Sequence, residues 1–334
     1  MKKLISTVVS LVVIFAIAAA AYEAYLKKPS ANALTEPIVI GSGMTTAQIA
    51  DLLKRSGVIS SNAIFTVVAD VSGKFKDFHA GTFIFKEGMS AFDALKTLSV
   101  QGQTEVGVTI PEGFGLRDIA GRLVQNKIIG SETDLFKVTG EAAKISGPEA
   151  SLAKDYQFLA YKPVLNNLEG YLFPDTYRFY APTDAETVVR RMLDGYAAKV
   201  AVLPQSPDYE TLIIASLVER EVKDPADRAK VADIIKRRIA LGMPLQLDST
   251  VNYATGKSSP SVSSGDLNVD SAWNTYKHAG LPPGPICDPG LDSIKAALAP
   301  TPNKYLYFLT APDGTVIYSQ TLEQHNAAKV KYLK

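Results

Sequence analysis

Residues 211–222 have the sequence TLIIASLVEREV, and this stretch organises the second half of the chain. Its apolar side chains recur three and four positions apart, which is the spacing of an α-helix. On such a helix Glu221 shares one face with three apolar residues, Ile214, Leu217 and Val218. Glu219 is expected to point well away from that face. We therefore predict a helix that begins near Ser206 and carries an acid at the end of its buried stripe.

The position of Glu221 at the edge of an apolar surface has a chemical consequence. Burial disfavours the charged form of a carboxyl group and raises its pKa. A raised pKa is what a general acid requires near neutral pH. The same position also fits a structural glutamate that pairs with Arg220 or Arg228, or whose carboxylate reaches water at the end of the stripe. Periodicity alone leaves both interpretations open.

The N-terminus holds a second informative segment. Lys2 and Lys3 precede residues 4–22, a run of nineteen residues without a charge. A helix of that length is about as long as the hydrocarbon core of a bilayer is thick. We therefore expect residues 1–26 to form a cytoplasmic tip and a single transmembrane helix. The remaining chain would then lie on the periplasmic, extracytoplasmic side of the cell inner (plasma) membrane. A cleaved signal peptide is the alternative, because residues 18–21 are all alanine.

The segment after the N-terminus is predicted to hold two small strand–helix units. Residues 27–36 (KKPSANALTE) have the composition of a polar linker. Residues 37–102 form the first unit, and GSGMTTAQIADLL at residues 41–53 resembles the opening of a LysM module, a small peptidoglycan-binding fold. Residues 103–155 repeat its pattern weakly at an offset of seventy residues. Duplication and shared core spacing both explain such sparse matches.

Residues 156–334 are predicted to be the catalytic domain, and the chain as a whole to be of the α+β class. Three short motifs there suit a saccharide groove: LEGYLFPDTY, LQLDSTVNY and WNTY. Aromatic faces stack on sugar rings, and polar side chains orient the hydroxyl groups. The alternation in LQLDSTVNY predicts an extended segment, for which a solvated strand face is the alternative. The substrate-binding candidates are Glu169, Tyr171, Gln246, Asp248, Thr250, Tyr253, Asn274 and Tyr276.

Composition excludes several classes of function. The formal net charge is +1, so the chain has no basic field of the kind that binds nucleic acid. One cysteine and three scattered histidines show no metal-ligand spacing, and we expect neither a metal site nor a cofactor. The signatures of serine hydrolases, P-loop proteins and zinc proteases are not found in the sequence.

Seven motifs occur in an order that resembles the YceG-like family of endolytic murein transglycosylases. They are LEGYLFPDTY, ASLVERE, LQLDSTVNY, SAWNTY, GLPPGPI, KYLYF and EQHN, and the similarity spans about residues 36–334. The family's catalytic glutamate lies in the motif represented here by ASLVERE, and the resemblance places it at Glu221. Glu219 remains open, because Val222 stands where other lytic transglycosylases have a small hydroxyl residue. Further departures from the family pattern are Leu247, Ser249 and Asp288.

The resemblance implies cleavage of the MurNAc–GlcNAc β-1,4 bond within nascent glycan strands, leaving 1,6-anhydro-MurNAc ends and terminating glycan elongation. The partners it implies are peptidoglycan glycan strands, the membrane through the N-terminal helix, and cell-wall synthases. A non-catalytic peptidoglycan-binding scaffold of the cell-wall synthesis machinery is the main alternative. Hydrolysis becomes an alternative reaction if Glu169 reaches the same sugar. An aminodeoxychorismate lyase activity, which needs pyridoxal phosphate, has no supporting motif.

Overall fold

The structure is a computed structural model that describes residues 34–73, 78–99, 104–145, 152–257 and 262–333, with positions 18, 22, 102 and 147. It divides into two compact units, residues 1–105 and residues 106–334. Both units combine helices with two-stranded sheets. The predicted α+β class is therefore confirmed.

The first unit packs three helices against a two-stranded antiparallel sheet. Strand β1 (Ile38–Ile40) pairs with β2 (Gly81–Phe83), with Ile38 opposite Phe83. The helices are α1 (Thr46–Arg55), α2 (Asn62–Ser72) and α3 (Ala91–Leu98). Thr45 and Gln48 form a capping box that starts α1, because each side chain accepts from the backbone N–H of the other residue. The core of this unit contains Ile49, Leu53, Phe65, Phe83 and Leu95.

The second unit contains four strands and nine α-helices among its described residues. Strand β3 (Thr104–Thr109) pairs with β4 (Thr176–Ala181), and β5 (Tyr307–Thr310) pairs antiparallel with β6 (Val316–Ser319). The helices are α4 (Leu116–Gln125), α5 (Glu132–Thr139), α6 (Leu152–Asp155), α7 (Ala185–Lys199), α8 (Tyr209–Glu221), α9 (Pro225–Ala240), α10 (Asp248–Thr255), α11 (Leu291–Leu298) and α12 (Leu322–Tyr332). Short 3₁₀ helices lie at Gln157–Tyr161 and Asp266–Asn268.

The weak sequence repeat has a counterpart in the local structure. Helices α1 and α4 begin at residues 46 and 116, and α2 and α5 begin at residues 62 and 132. Ser61 and Ser131 both cap the second helix of their copy, since each side chain accepts from a backbone N–H three residues later. The repeat is therefore a strand–helix–helix pattern with matched helix starts.

Helix α8 is the centre of the second unit. Residues 212–218 are all buried, which is typical of a helix covered on every side. The predicted cap at Ser206 is wrong by two residues. The Asp208 carboxylate accepts from Thr211 N at 2.8 Å and caps the helix, whereas the Ser206 hydroxyl donates to the Ala201 carbonyl. Helices α9, α10 and α11 pack around α8 and supply the partners of its polar residues.

The extended segment predicted from LQLDSTVNY is wrong. Residues Asp248–Thr255 form helix α10, which follows extended backbone at Leu247 and ends at Gly256 with a left-handed φ of 70°. A two-turn helix is too short for its period to be distinguished from alternation in the sequence. The consequence for the site is large, because residues four positions apart now share a face.

The predicted membrane helix lies outside the described residues, apart from positions 18 and 22. In the part of the chain that the structure describes, no helix is both long and apolar enough to cross a bilayer. A spanning helix needs about 20 predominantly apolar residues. The predicted single-pass location in the plasma membrane is wrong on this finding.

Candidate active site

Glu221 ends helix α8 and faces helix α10. The Ser249 hydroxyl donates to Glu221 Oε1 at 2.7 Å. Burial raises the pKa of Glu221, and the nearby Asp248 carboxylate raises it further. The hydrogen bond from Ser249 and the charge of Arg220 act in the opposite direction. Glu221 is thus a half-buried carboxyl group that favours its protonated form more than an exposed glutamate does.

Glu219, two residues earlier, has a different environment. Its Oε1 accepts from Arg228 Nη2 at 3.0 Å, and its Oε2 accepts from Gly290 N at 3.0 Å, directly before helix α11. The side chains of Glu219 and Arg228 are only 6% and 8% exposed. Arg228, which the sequence offered as a partner for Glu221, therefore pairs with Glu219. Both oxygens of Glu219 are occupied by structural contacts.

A second polar pair lies beside Glu221. The Tyr276 hydroxyl donates to Asp248 Oδ1 at 2.6 Å. Burial raises the pKa of the Tyr276 hydroxyl, and its hydrogen bond to Asp248 raises it further. Asp248 and Tyr276, both predicted to bind substrate, therefore lie on the α10 side of Glu221.

Glu169 is fully buried, at 0% exposure. Its Oε1 accepts from Leu116 N at 2.9 Å, at the start of helix α4, and its Oε2 accepts from the Tyr253 hydroxyl at 2.8 Å. Burial raises the pKa of Glu169, as it does that of Asp288, a second fully buried carboxyl group that interacts with it. Asp288 Oδ1 accepts from Leu172 N at 2.8 Å. Glu169 therefore lies inside the protein, and its two hydrogen-bond donors, Leu116 and Tyr253, both line the cavity beside Glu221.

Helix α10 connects the two glutamates. Ser249 and Tyr253 are four residues apart, so they share one face and lie about one helical turn from each other. Ser249 binds Glu221 and Tyr253 binds Glu169. Both residues line a cavity of about 60 Å³ between α4 and α10.

The other predicted site residues lie in structural positions. Tyr171 is buried in an aromatic cluster with Phe158, Tyr196 and Tyr209. Burial raises the pKa of its hydroxyl group. It contributes to the core rather than to a surface that a sugar ring could reach.

Three further predicted substrate-binding residues have no contact with Glu221 in their described hydrogen bonds. Thr250 and Asn274 are buried and hold loops in place, and Gln246 is exposed. Thr250 is 0% exposed, donates to the Leu247 carbonyl and shares a hydrogen bond with Thr275. Asn274 donates to the carbonyls of Leu267 and Val269. Gln246 is exposed and has a left-handed φ of 51°. Sequence reasoning did not select Ser249 as a site residue, although its departure from the family pattern marked the position.

Carboxylate, histidine and cysteine side chains in the described ranges form no group of three that could hold a metal ion. Cys287, Asp288 and Glu169 are each buried, and burial raises the pKa of all three. The side chains that hydrogen-bond Glu221 and its neighbour Asp248 are the hydroxyl groups of Ser249 and Tyr276.

An α+β domain that places a half-buried acid of raised pKa beside a cavity has a group of the kind that serves enzymes as general acid and base. Comparison with known proteins makes this assignment more specific. The YceG-like family model matches residues 38–331, so the chain belongs to the YceG-like family.

Relatives named endolytic murein transglycosylase are similar over most of the chain. A protein of Bacillus subtilis (strain 168) named endolytic murein transglycosylase is 35% identical over 313 residues, covering 90% of this chain and 85% of the relative. A protein of the same name from Streptococcus pneumoniae serotype 2 (strain D39) is 32% identical over 320 residues. That alignment covers 86% of this chain but only 56% of the relative, so the chain spans little more than half of the streptococcal protein.

A solved structure has the same fold. The crystal structure of a yceG-like protein from Listeria monocytogenes aligns with a TM-score of 0.57 and 32% sequence identity. The alignment covers 88% of this chain and 100% of the Listeria chain.

Proposed function

We propose that this protein is an endolytic lytic transglycosylase that cleaves the MurNAc–GlcNAc β-1,4 bond of peptidoglycan and leaves 1,6-anhydro-MurNAc ends. Glu221 is its acid and base. Membership of the YceG-like family supports the reaction, as do the names of the Bacillus and Streptococcus relatives. The observation that carries the choice of residue is the contrast between Glu221, whose pKa is raised by burial, and the ion-paired Glu219.

The reaction needs one carboxyl group. Protonated Glu221 donates its proton to the glycosidic oxygen as the bond to C1 breaks. The resulting carboxylate accepts the proton of the C6 hydroxyl of the same muramyl residue, and the C6 oxygen forms the new bond to C1. Glu221 thereby returns to its protonated form. The attacking hydroxyl is attached to the ring, so it has a large entropic advantage over free water.

The burial of Glu169 supports this reaction over hydrolysis. A glycosidase that uses water needs a second carboxylate as base or nucleophile. Both oxygens of Glu169 accept protein hydrogen bonds, and none of its surface is exposed. Glu169 is therefore poorly placed to activate water at the sugar.

The test is incubation of purified sacculi with the protein, followed by mass spectrometry of the soluble products. We expect anhydro-muropeptides from the unaltered protein and none above background from Glu221→Gln. Products with reducing ends instead of anhydro ends would indicate hydrolysis. A protein that binds sacculi and releases no product would indicate the alternative function, a peptidoglycan-binding scaffold.

We further propose that residues 37–102 are a LysM-like module that holds glycan without cleaving it. A cavity of about 360 Å³ in this unit is lined by residues 40–46, Ile49 and residues 78–80. The loop before α1 and the segment before β2 thus form one concave surface. Binding of this kind lowers KM and leaves kcat unchanged.

Exchange of an exposed cavity residue tests the LysM-like module. His79→Ala should weaken binding of sacculi in a pull-down while kcat on short glycan oligomers stays constant. Lys54→Ala, an exposed change on α1 away from the cavity, is the control. Equal binding by both variants would contradict the module.

The proposed reaction also includes a role in terminating nascent glycan strands, together with cell-wall synthases. This role predicts longer glycan strands in cells that carry Glu221→Gln.

A further inference from the structure

The cavity beside Glu221 is lined by three basic side chains, Arg117, Arg220 and Lys257. Ser249 lines the same cavity and donates to Glu221 Oε1, so the acid and the cavity are separated by one small side chain. A volume of about 60 Å³ suits a small polar group rather than a sugar ring. The position and size of the cavity indicate a subsite for a substituent of the sugar whose glycosidic oxygen Glu221 protonates.

The hydrogen bonds of the two arginines go to neutral backbone carbonyls. Arg117 donates from Nη1 to the Tyr253 carbonyl at 2.7 Å and from Nη2 to the Ala142 carbonyl at 3.2 Å. Arg220 donates from Nη1 to the Gly113 carbonyl at 3.0 Å. These neutral acceptors orient the guanidinium groups without cancelling their charge. Neither arginine forms a salt bridge with a carboxylate of the described residues, whereas the charge of Lys257 is paired with Asp266 at 2.6 Å.

One acid also lines the cavity, and its carboxylate is already engaged. Asp118 accepts from Gly115 N at 3.0 Å and so caps helix α4. Arg117 and Arg220 therefore bring to the cavity two guanidinium groups that have no salt-bridge partner among the described residues. Guanidinium groups bind carboxylates through paired, charge-assisted hydrogen bonds, so a carboxylate is the ligand that fits best.

We propose that this cavity binds a carboxylate of the peptide stem carried by the muramyl residue at the scissile bond. This inference rests on the proposed function. The stem starts at the lactyl group of the same sugar whose C1 is attacked. Two extended residues span at most about 7 Å, so the α-carboxylate of the second residue, D-isoglutamate, lies closest to the sugar. The protein would then read the charge of the stem, and amidation of that carboxylate would weaken the substrate.

Three synthetic glycan oligomers test this specificity. One has unmodified tetrapeptide stems, the second has a carboxamide at the second residue, and the third has a carboxamide at the stem terminus. For the unaltered protein, amidation of the second residue should lower kcat/KM about tenfold, the size of one charge-assisted contact. If kcat/KM falls only with the third oligomer, the cavity binds the terminal carboxylate and not that of the second residue.

Variants connect the effect to the cavity. In Arg117→Gln the ratio of kcat/KM between the first two oligomers should fall to less than twofold, and Arg117→Lys should restore part of it. Arg122→Gln is the matched control, because Arg122 lies on the same helix, also donates to a carbonyl, and does not line the cavity. A tenfold ratio that persists in Arg117→Gln would overturn the inference, as would equal rates on all three oligomers with the unaltered protein.

Calorimetry separates this inference from the proposed function. If no oligomer gives anhydro ends, the proposed function fails. The Kd ratio of the first two oligomers for Glu221→Gln then decides the subsite alone. A ratio near tenfold that disappears in the Arg117→Gln/Glu221→Gln double variant supports it, and a ratio near one overturns it.

Discussion

The last turn of helix α8 carries two glutamates two positions apart, and their side chains enter two different regions of the protein. Glu219 enters the interface with α9 and α11, where it forms a buried ion pair with Arg228 and binds Gly290 N. Glu221 enters the interface with α10, where Ser249 is its side-chain hydrogen-bond donor. One region neutralises its carboxylate with a full positive charge, and the other leaves its carboxyl with a raised pKa.

The contrast shows how one helix separates a structural role from a chemical one. A buried ion pair with both carboxylate oxygens engaged has no free oxygen for a substrate. A carboxyl group with one hydroxyl partner and reduced hydration keeps an oxygen free and holds its proton more tightly. The residue type is identical, so the neighbouring helices decide the role.

The largest expected effect is on catalysis. Glu221→Gln preserves the shape of the side chain and removes its titrating proton, so kcat should fall by about 10²–10⁴-fold. Release of anhydro-muropeptides measures the rate, and circular dichroism checks the fold. If Glu219→Gln is inactive although folded, while Glu221→Gln retains activity, the two roles are reversed.

For the free energy of unfolding, the change at Glu219 should have a larger effect than the change at Glu221. Glu219→Gln removes the carboxylate that forms the buried ion pair with the Arg228 guanidinium, which should cost about 3–5 kcal/mol of unfolding free energy. Urea denaturation measures this loss. A second change, Arg228→Met, should recover part of it by removing the unpaired charge. A loss below about 1 kcal/mol for Glu219→Gln would show that the ion pair is not structural.

Ser249→Ala tests the hydrogen bond that distinguishes Glu221 from the ion-paired Glu219. The Ser249 hydroxyl stabilises the charged form of Glu221, so its removal should raise the pKa of Glu221 further. The alkaline limb of the pH profile of kcat/KM should move to higher pH. The maximum should fall by about 2- to 10-fold, because one orienting hydrogen bond is lost. An alkaline limb that moves to lower pH would contradict this role.

The buried pair of Glu169 and Asp288 predicts how stability depends on pH. Burial raises the pKa of both carboxyl groups in the folded state, so the folded protein keeps protons that the unfolded chain releases above about pH 4. Stability is therefore lost as pH rises, by about 1.4 kcal/mol per pH unit for each retained proton. Asp288→Asn removes one of these groups.

Denaturation of Asp288→Asn at pH 5 and pH 8 tests this linkage. The unfolding free energy of the variant, relative to that of the unaltered protein, should be higher at pH 8 than at pH 5, because its amide cannot ionise. A stability difference that is the same at both values would show that Asp288 does not retain a proton.

The smallest effect is expected at an exposed ion pair. Asp175, in the motif LEGYLFPDTY, contacts Lys199 at 2.6 Å with both side chains more than 40% exposed. Asp175→Asn should change the unfolding free energy by less than about 1 kcal/mol, because water already screens the pair. A larger loss would mean that exposure is a poor guide to the difference between Glu219 and Glu221.

Local sequence signals predicted much of the secondary structure. Helix α9 begins at Asp224-Pro225, a capping residue followed by proline at the first helical position, as expected. The helix from residue 62 was predicted from Ser61, whose side chain does cap it. Helix α10 was missed, because polar residues recur at every second position along LQLDSTVNY, as they do in a strand. Signals confined to a few neighbouring residues succeed where the cap is local and fail where packing selects the conformation.

The sequence by itself determined the class of the fold, the helix that ends at Glu221, and the ordered motifs of the YceG-like family. Only the tertiary structure decided which side chains meet. Ser249 and Glu221 are 28 positions apart, and Tyr253 and Glu169 are 84 positions apart. Tyr171 and Glu169, which looked like groove residues, are buried. Periodicity specifies which face of a helix is covered, whereas burial and pKa depend on the distant residues that cover it.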